Sequence, residues 1–364
     1  VIATATLDID LAAIAANWRT LSARHRSGPV AGVVKADAYG LGAAHVVPAL
    51  FAAGCRHFFV AKLEEALAIR ALVPGALLAV LNGLVPGDEE EFAAHDIAPV
   101  LGSLDEVGRW VAAASRLNRK LPALLHIDTG MNRLGLDCTE LAILQQDQSR
   151  LDGIGLRYVM THLVSAELPD DPMNTAQRDR FARACAGLPA APRSFANSSG
   201  LFLGEDFASD LARPGAALYG VNPTPGQDNP MRPGVLLRAQ VLQVREIAPG
   251  EGVGYNATWR AERPSRIATA AVGYADGWPR ALSGRGHAAF DGAPVPLVGR
   301  VSMDLTTYDV TDRPAIQPGS WLELIGPHVP VDRVATEAGT NGYEILTSLG
   351  ARYARTYRDT ATAS

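Results

Sequence analysis

Five short apolar runs in this chain end in residues that could do chemistry. Val30–Val34 ends in Lys35, within the segment VVKADAYG. Ala123–Ile127 ends in Asp128 and leads to Arg133. Gly155–Thr161 ends in His162, Ser194–Ala196 ends in Asn197 and Ser198, and Ser209–Ala212 ends in Arg213. A lysine closing an apolar strand is partly desolvated. Its pKa falls, and the neutral amine needed for Schiff-base chemistry with a carbonyl becomes accessible. After the last run, ARPGAALY can open a turn with exposed N–H groups. Together with Ser198 this gives a candidate phosphate cradle of Ser198, Gly215 and Ala216. A Schiff-base lysine with a phosphate cradle suggests pyridoxal 5′-phosphate (PLP). A class I aldolase would also combine a barrel lysine with a phosphate.

Groups at strand ends need strands to carry them. Eight strand-length runs are evident: Val30–Val34, His57–Ala61, Leu77–Leu81, Ala98–Leu101, Ala123–Ile127, Gly155–Thr161, Ser194–Ala196 and Ser209–Ala212. Helix-length segments such as Lys62–Leu72 and Ser103–Leu117 alternate with them. An early helix over Leu11–Leu21 puts Leu11, Ile14, Ala15, Trp18 and Leu21 on one face. This alternation predicts a (β/α)8, TIM-like barrel, whose chemistry sits at the C-terminal ends of its strands. Strands seven and eight come just before the loops that often hold phosphate in such barrels.

Pro223–Pro233 reads as a linker. Beyond it, β-type alternation runs over Leu236–Val244, Ser265–Val272, Pro294–Val301, Leu305–Val310 and Trp321–Ile325, with helices near Val331–Leu349. The expected fold class is therefore α/β plus β. The PLP-binding barrel spans 8–235, and a mostly β C-terminal domain spans 236–364 together with residues 1–7.

Composition agrees with two domains. A chain of 364 residues exceeds one domain at roughly 150 residues each. Apolar residues at 48% and charged residues at 20% describe a soluble globular chain. A net charge of −5 argues against nucleic acid or an anionic membrane as partner. No apolar run reaches the ~18 residues of a membrane span, and no basic segment precedes an apolar one at the start. Three widely spaced cysteines, Cys55, Cys138 and Cys185, form neither a disulfide framework nor a zinc site. No metal is expected, and the cytoplasm is the expected compartment.

Eight segments, VVKADAYG, HIDTGMNRLG, ANSSG, RPGAALYG, VGYNATW, VGYADGWPR, GRVSMD and YEI, occur in this order between Leu7 and about Tyr357. As a set they resemble alanine racemase. The resemblance implies a PLP-dependent isomerase that interconverts L- and D-alanine and supplies D-alanine for peptidoglycan. It also implies a homodimer whose active sites lie between the barrel of one chain and the β domain of the other. A broader racemase of small amino acids such as serine is the alternative. A decarboxylase of similar architecture would usually hold the pyridine nitrogen with a carboxylate rather than with Arg213. A non-catalytic PLP-binding relative would lack the β domain.

By the same resemblance, Lys35 is the Schiff-base lysine and one catalytic base, and Tyr255 is the other. Tyr39, Ser198, Gly215, Ala216 and Tyr343 hold the phosphate. Arg213 faces the pyridine nitrogen, and His162 packs beneath the cofactor and bonds that arginine. Arg133 lies near the cofactor phenolate and the substrate carboxylate, and Met303 gives a backbone contact to substrate. Tyr274 and Tyr343 narrow the entrance. Four positions depart from the family pattern: Leu41 and Ser194 where histidine is frequent, His126 where a lysine is frequent, and Ser302 where a cysteine is frequent.

Overall fold

The computed structural model describes residues 3–359. Of the range expected for the second domain, residues 1–2 and 360–364 lie outside the described residues.

Seven parallel strands follow one another in sequence order around a barrel: β2 (Gly32–Val33), β3 (His57–Val60), β4 (Leu77–Val80), β5 (Ala98–Leu101), β6 (Leu121–His126), β7 (Ile154–Met160) and β8 (Arg193–Ser194). The expected eighth strand, Ser209–Ala212, is reduced to two bridges. Leu211 pairs with Ser194 and Ala212 with Val30, both parallel, and together they close the ring. Ala31, Val33, Phe59, Ala79, Val100 and Leu124 belong to a cluster of buried side chains from its strands. Small residues near Phe59 let this interior pack without a pore.

The crossover helices form where caps and apolar spacing coincide. Helix α1 (Leu11–Arg24) starts at Asp10, whose carboxylate accepts the Ala13 N–H at 2.8 Å, and it buries Leu11, Ile14, Ala15 and Leu21. The left-handed turn Lys35–Gly40 (α2) leads into α3 (Ala43–Ala53). Next come α4 (Leu63–Arg70), α5 (Glu89–Ala94) and α6 (Leu104–Arg116). Ser103 caps α6, which buries Val107, Trp110, Ala113 and Ala114. Helices α7 (Cys138–Gln146) and α8 (Pro172–Ala186) complete the ring's outer layer, each started by an aspartate cap. The stretch after Tyr219 carries neither helix nor strand. Asn17, fully buried on α1, ties it down: its amide donates to Leu218 O and Arg232 O and accepts from Arg232 N.

The second half is an eight-stranded sheet with the path β14-β13-β16-β9-β1-β17. Its backbone is β9 (Val235–Ile247), whose 13 residues pair first with β1 (Ala5–Asp10) and β16 (Trp321–Ile325), then with β12 (Ser265–Ala270). A short hairpin of β10 (Gly252–Val253) and β11 (Trp259–Arg260) projects from it. Strands β13 (His287–Phe290), β14 (Ala293–Pro296) and β15 (Thr306–Asp309) extend the sheet, and the helices α9 (Val331–Ala338) and α10 (Gly342–Ser348) precede β17 (Ala354–Arg358). No helix among the described residues is long and apolar enough to cross a membrane.

The first strand therefore pairs into the sheet of the second half. β1 lies between β9 and β17, and one buried carboxylate fixes this arrangement. Asp8 on β1 accepts from Arg238 of β9 at 3.1 Å and from Arg358 of β17 at 2.9 Å. Replacing Asp8 by Ala should lower stability by about 1–3 kcal/mol, because two guanidinium groups lose their partner. Asp8→Asn, which keeps an acceptor but no charge, should fall between. Urea unfolding checks both, and an Asp8→Ala midpoint equal to the parent's would show that the pair holds nothing.

Candidate active site

A cavity of about 310 Å³ opens at the C-terminal ends of the barrel strands. Its lining includes Lys35 and Tyr39 after β2, Arg133 after β6, and His162 after β7. Ser198, Arg213, Gly215 and Ala216 come from the loops after β8 and the closing segment, and Tyr343 comes from α10. Grooves of about 530 and 850 Å³ open elsewhere. The first is floored mainly by alanines, and neither gathers such a set of functional groups.

Lys35 enters this cavity by an uncommon backbone route. Ala36, Asp37, Ala38 and Tyr39 all have φ between 52° and 57°, a full turn of left-handed helix built from L-residues. Each costs roughly 1–2 kcal/mol against the right-handed form. The surroundings hold the turn in place. The Ala36 N–H donates to Glu65 Oε1 at 2.7 Å, and Asp37 Oδ1 accepts the Ala43 N–H at 2.7 Å. Arg355 of β17 donates to Gly40 O at 2.6 Å and to the carbonyls of Leu349 and Gly350. Gly40 packs so closely on α10 that a Cβ there would lie 2.7 Å from Leu346 O. One turn of helix puts Lys35 and Tyr39, four residues apart, on the same side. Burial lowers the Lys35 pKa, the nearby Arg133 charge lowers it further, and Glu65 opposes both.

The cradle after β8 is built from the chain's own amides. Ser198 Oγ accepts the N–H groups of Gly215 at 3.1 Å and Ala217 at 3.2 Å. The Tyr39 hydroxyl stands against Gly215, where a Cβ would overlap it unless the Tyr39 ring moved. The Tyr39 ring packs on Tyr219, with centroids 4.7 Å apart, and burial raises the Tyr39 pKa.

Arg213 is 4% exposed and donates to Ser194 Oγ and, at 2.6 Å, to Thr161 O. Ser194 Oγ in turn donates its O–H to Leu211 O at 2.7 Å. Burial brings the Arg213 pKa down to about 10, which leaves the guanidinium charged at neutral pH. The expected hydrogen bond from His162 to Arg213 is not among the bonds of the described residues. Arg213 spends donors on Ser194 and Thr161 instead, and His162 is fixed through its backbone, where Gln177 donates to its carbonyl at 2.9 Å. Burial, with the charges of Arg213 and Arg133, lowers the His162 pKa to about 3. His126 falls to about 4 for the same reasons. Both rings are neutral beside the cavity.

Asp128 folds the loop that carries Arg133 by accepting the N–H groups of Gly130, Met131 and Asn132 at 2.9 Å each. Arg133 is thereby left exposed at the mouth. Tyr255, Tyr274 and Met303 do not line this cavity. They are 66%, 43% and 54% exposed on the β domain. Tyr255 sits in the turn between β10 and β11, while Tyr274 N–H to Ser302 O, at 3.0 Å, sets Tyr274 beside Met303.

Sequence reasoning missed several neighbours. Glu167 and Thr347 line the cavity. Ser194, noted only as a departure, anchors Arg213. Of the other departures, Leu41 is fully buried, and Ser302 Oγ donates to Leu305 O at 2.7 Å. Glu65 carried one usable signal, an acidic residue in a helix's first turn just after a strand.

The groups present suit PLP. A desolvated amine can bond an aldehyde, a buried charged donor can face a ring nitrogen, and amides and hydroxyls free of a Cβ barrier can take a phosphate. Comparison with known proteins agrees. The family model "Alanine racemase, N-terminal domain" matches residues 9–223, and "Alanine racemase, C-terminal domain" matches 235–357. An alanine racemase of Acidiphilium cryptum is 62% identical over 350 residues, covering 96% of this chain and 98% of that protein. The crystal structure of alanine racemase from Bartonella henselae with covalently bound pyridoxal phosphate superposes with a TM-score of 0.95 at 45% identity, covering 98% of this chain and 100% of that one. Biosynthetic alanine racemase from Pseudomonas aeruginosa gives a TM-score of 0.92 at 34% identity, covering 98% and 100%.

The neutral His126 has a measurable consequence. Its folded pKa of about 4 lies below the ordinary 6.5, so the unfolded chain binds the proton first as pH falls. Stability should drop between pH 6.5 and about 4 on this account. His126→Asn should remove on the order of 2 kcal/mol of that acid loss. Melting curves of both proteins from pH 7 to 4.5 read this directly, and parallel curves would refute it.

Proposed function

The chain belongs to the alanine racemase family, and from that premise we propose how its residues act. It is a PLP-dependent isomerase that interconverts L- and D-alanine. The observation that carries the reading is one cavity joining a desolvated lysine to an amide cradle and a buried arginine, in a chain whose second base lies elsewhere.

The cofactor, when bound, supplies an electron sink that acidifies the Cα–H of an attached amino acid. Lys35 would bond it, and Tyr39, Ser198, Gly215, Ala216 and Tyr343 would hold its phosphate. Arg213 remains charged and would be the donor toward the ring nitrogen, favouring its unprotonated form and so restraining side reactions. His162 would give the ring a neutral surface to pack on. Arg133 at the mouth meets the substrate carboxylate, and Met303 adds a backbone contact. Lys35 Nζ moves a proton on one face of Cα, and Tyr255 Oη moves one on the opposite face. A free phenol has a pKa near ~10, so Tyr255 needs neighbouring charge or hydrogen bonds to accept a proton.

Tyr255 reaches that proton from a second copy of the chain. Its exposure, with that of Tyr274 and Met303, supports a homodimer in which each β domain covers the partner's barrel mouth. Tyr274 and Tyr343 then narrow the entrance to small amino acids, alanine first and serine next. The enzyme works in the cytoplasm and supplies D-alanine for peptidoglycan.

Subunit mixing tests the shared site. Inactive Lys35→Ala and inactive Tyr255→Phe are dissociated and recombined. With sites shared between chains, each mixed dimer has one intact site, so random pairing restores about a quarter of the parent's activity. No recovery despite verified mixed dimers would refute the arrangement.

A further inference from the structure

We propose that Glu65 is the positioning residue of Lys35: its carboxylate joins the left-handed turn after β2 to the loop after β3 and so keeps the amine turned into the cavity. The inference rests on the role given to Lys35 above.

The hydrogen bonds of Glu65 carry the argument. Oε1 accepts the Ala36 N–H at 2.7 Å. Oε2 accepts the N–H groups of Ala61 at 2.7 Å and Lys62 at 3.2 Å. An acidic residue three positions into a helix normally satisfies its own helix's first amides. Here one oxygen does that, and the other reaches 29 residues back to the first residue of the strained turn. The turn's own bonds, Ala38 N to Val34 O, Leu41 N to Ala38 O and Gly42 N to Asp37 O, do not use the Ala36 amide. Without Glu65 that exposed amide is left to solvent, which cannot tie it to the loop after β3, and the least favourable backbone in the site loses its first anchor. The ion pairs found among the described residues include none to Glu65, so its charge acts through these amides and on Lys35.

The charge matters as much as the bonds. Arg133 and Arg213 are cationic, His162, Tyr39 and Tyr343 are neutral, and Glu167 is an exposed carboxylate on the cavity lining. Glu65 is the carboxylate that acts directly on the Lys35 amine, favouring its protonated form.

Glutamine cannot replace this group. It has one acceptor oxygen, so its NH2 must face either Ala36 N–H or the Ala61 and Lys62 pair, donor against donor. The holoenzyme of Glu65→Gln should therefore release PLP roughly ten-fold faster than the parent. The acid limb of its kcat–pH profile should move to lower pH, because an amine without its carboxylate loses its proton sooner. Adding Ala36→Gly should slow the release again, since glycine adopts the left-handed conformation freely. That rescue separates holding the turn from capping α4, which a change at residue 36 would not repair. If Glu65→Gln folds poorly, Glu65→Asp and its Ala36→Gly partner give the same comparison. Release rate and acid limb both unchanged, or a faster release that Ala36→Gly leaves unaltered, would overturn the role of Glu65. Lys35→Ala is the reference: if it retains PLP as firmly as the parent, the reading of Lys35 itself is wrong.

Discussion

Four consecutive L-residues held in left-handed conformation are the constraint on which the site depends. A right-handed turn after β2 would send Lys35 and Tyr39 elsewhere, because side-chain direction follows backbone hand. The turn persists because its own Asp37 and two distant parts of the chain hold it. Glu65 comes from the next βα unit, and Arg355 from the last strand of the other domain. Arg355 also grips the end of α10, the helix that brings Tyr343 to the same cavity. The two halves of the chain are thus tied at the turn that carries Lys35.

Electrostatics follow from this packing. Arg213 is buried yet keeps its charge, since its two anchors, Ser194 Oγ and Thr161 O, are acceptors that suit a cation. Burial, reinforced by that positive floor and by Arg133 above, pushes the His162 and His126 rings to their neutral forms. A site rich in fixed cations and poor in titrating imidazole suits an anionic cofactor and a carboxylate substrate. On the proposed reading proton transfer then falls to Lys35, which burial and Arg133 push toward its neutral form, and to Tyr255 on the exposed face of the β domain.

Much of this was legible before any coordinates. Strand-end polar residues are readable because a barrel's geometry turns a sequence position into a place on the rim, and Lys35, His162, Ser198 and Arg213 all followed that rule. The β half was readable from alternation, with β16 at Trp321–Ile325 as expected. The left-handed turn was not. Ala-Asp-Ala-Tyr carries no glycine to announce it, and the forces that impose it come from residues 65 and 355, far away in sequence. Ser194 looked like a lost histidine because sequence lists a side chain without its partner. The same blindness produced the expected bond between His162 and Arg213; the described residues show Arg213 on Ser194 and Thr161, and His162 held through its carbonyl by Gln177. The eighth strand was foreseen as four residues, but closure needs only Leu211 and Ala212.

The account turns on Lys35 being the group that the left-handed turn delivers to the cofactor. The chain has only three lysines, Lys35, Lys62 and Lys120, which makes the point simple to decide. Reducing the holoenzyme with borohydride fixes the cofactor to its lysine, and mass spectrometry of the digest identifies the peptide. The account predicts a single pyridoxyl-bearing peptide containing Lys35. A label on Lys62 or Lys120 instead would contradict it.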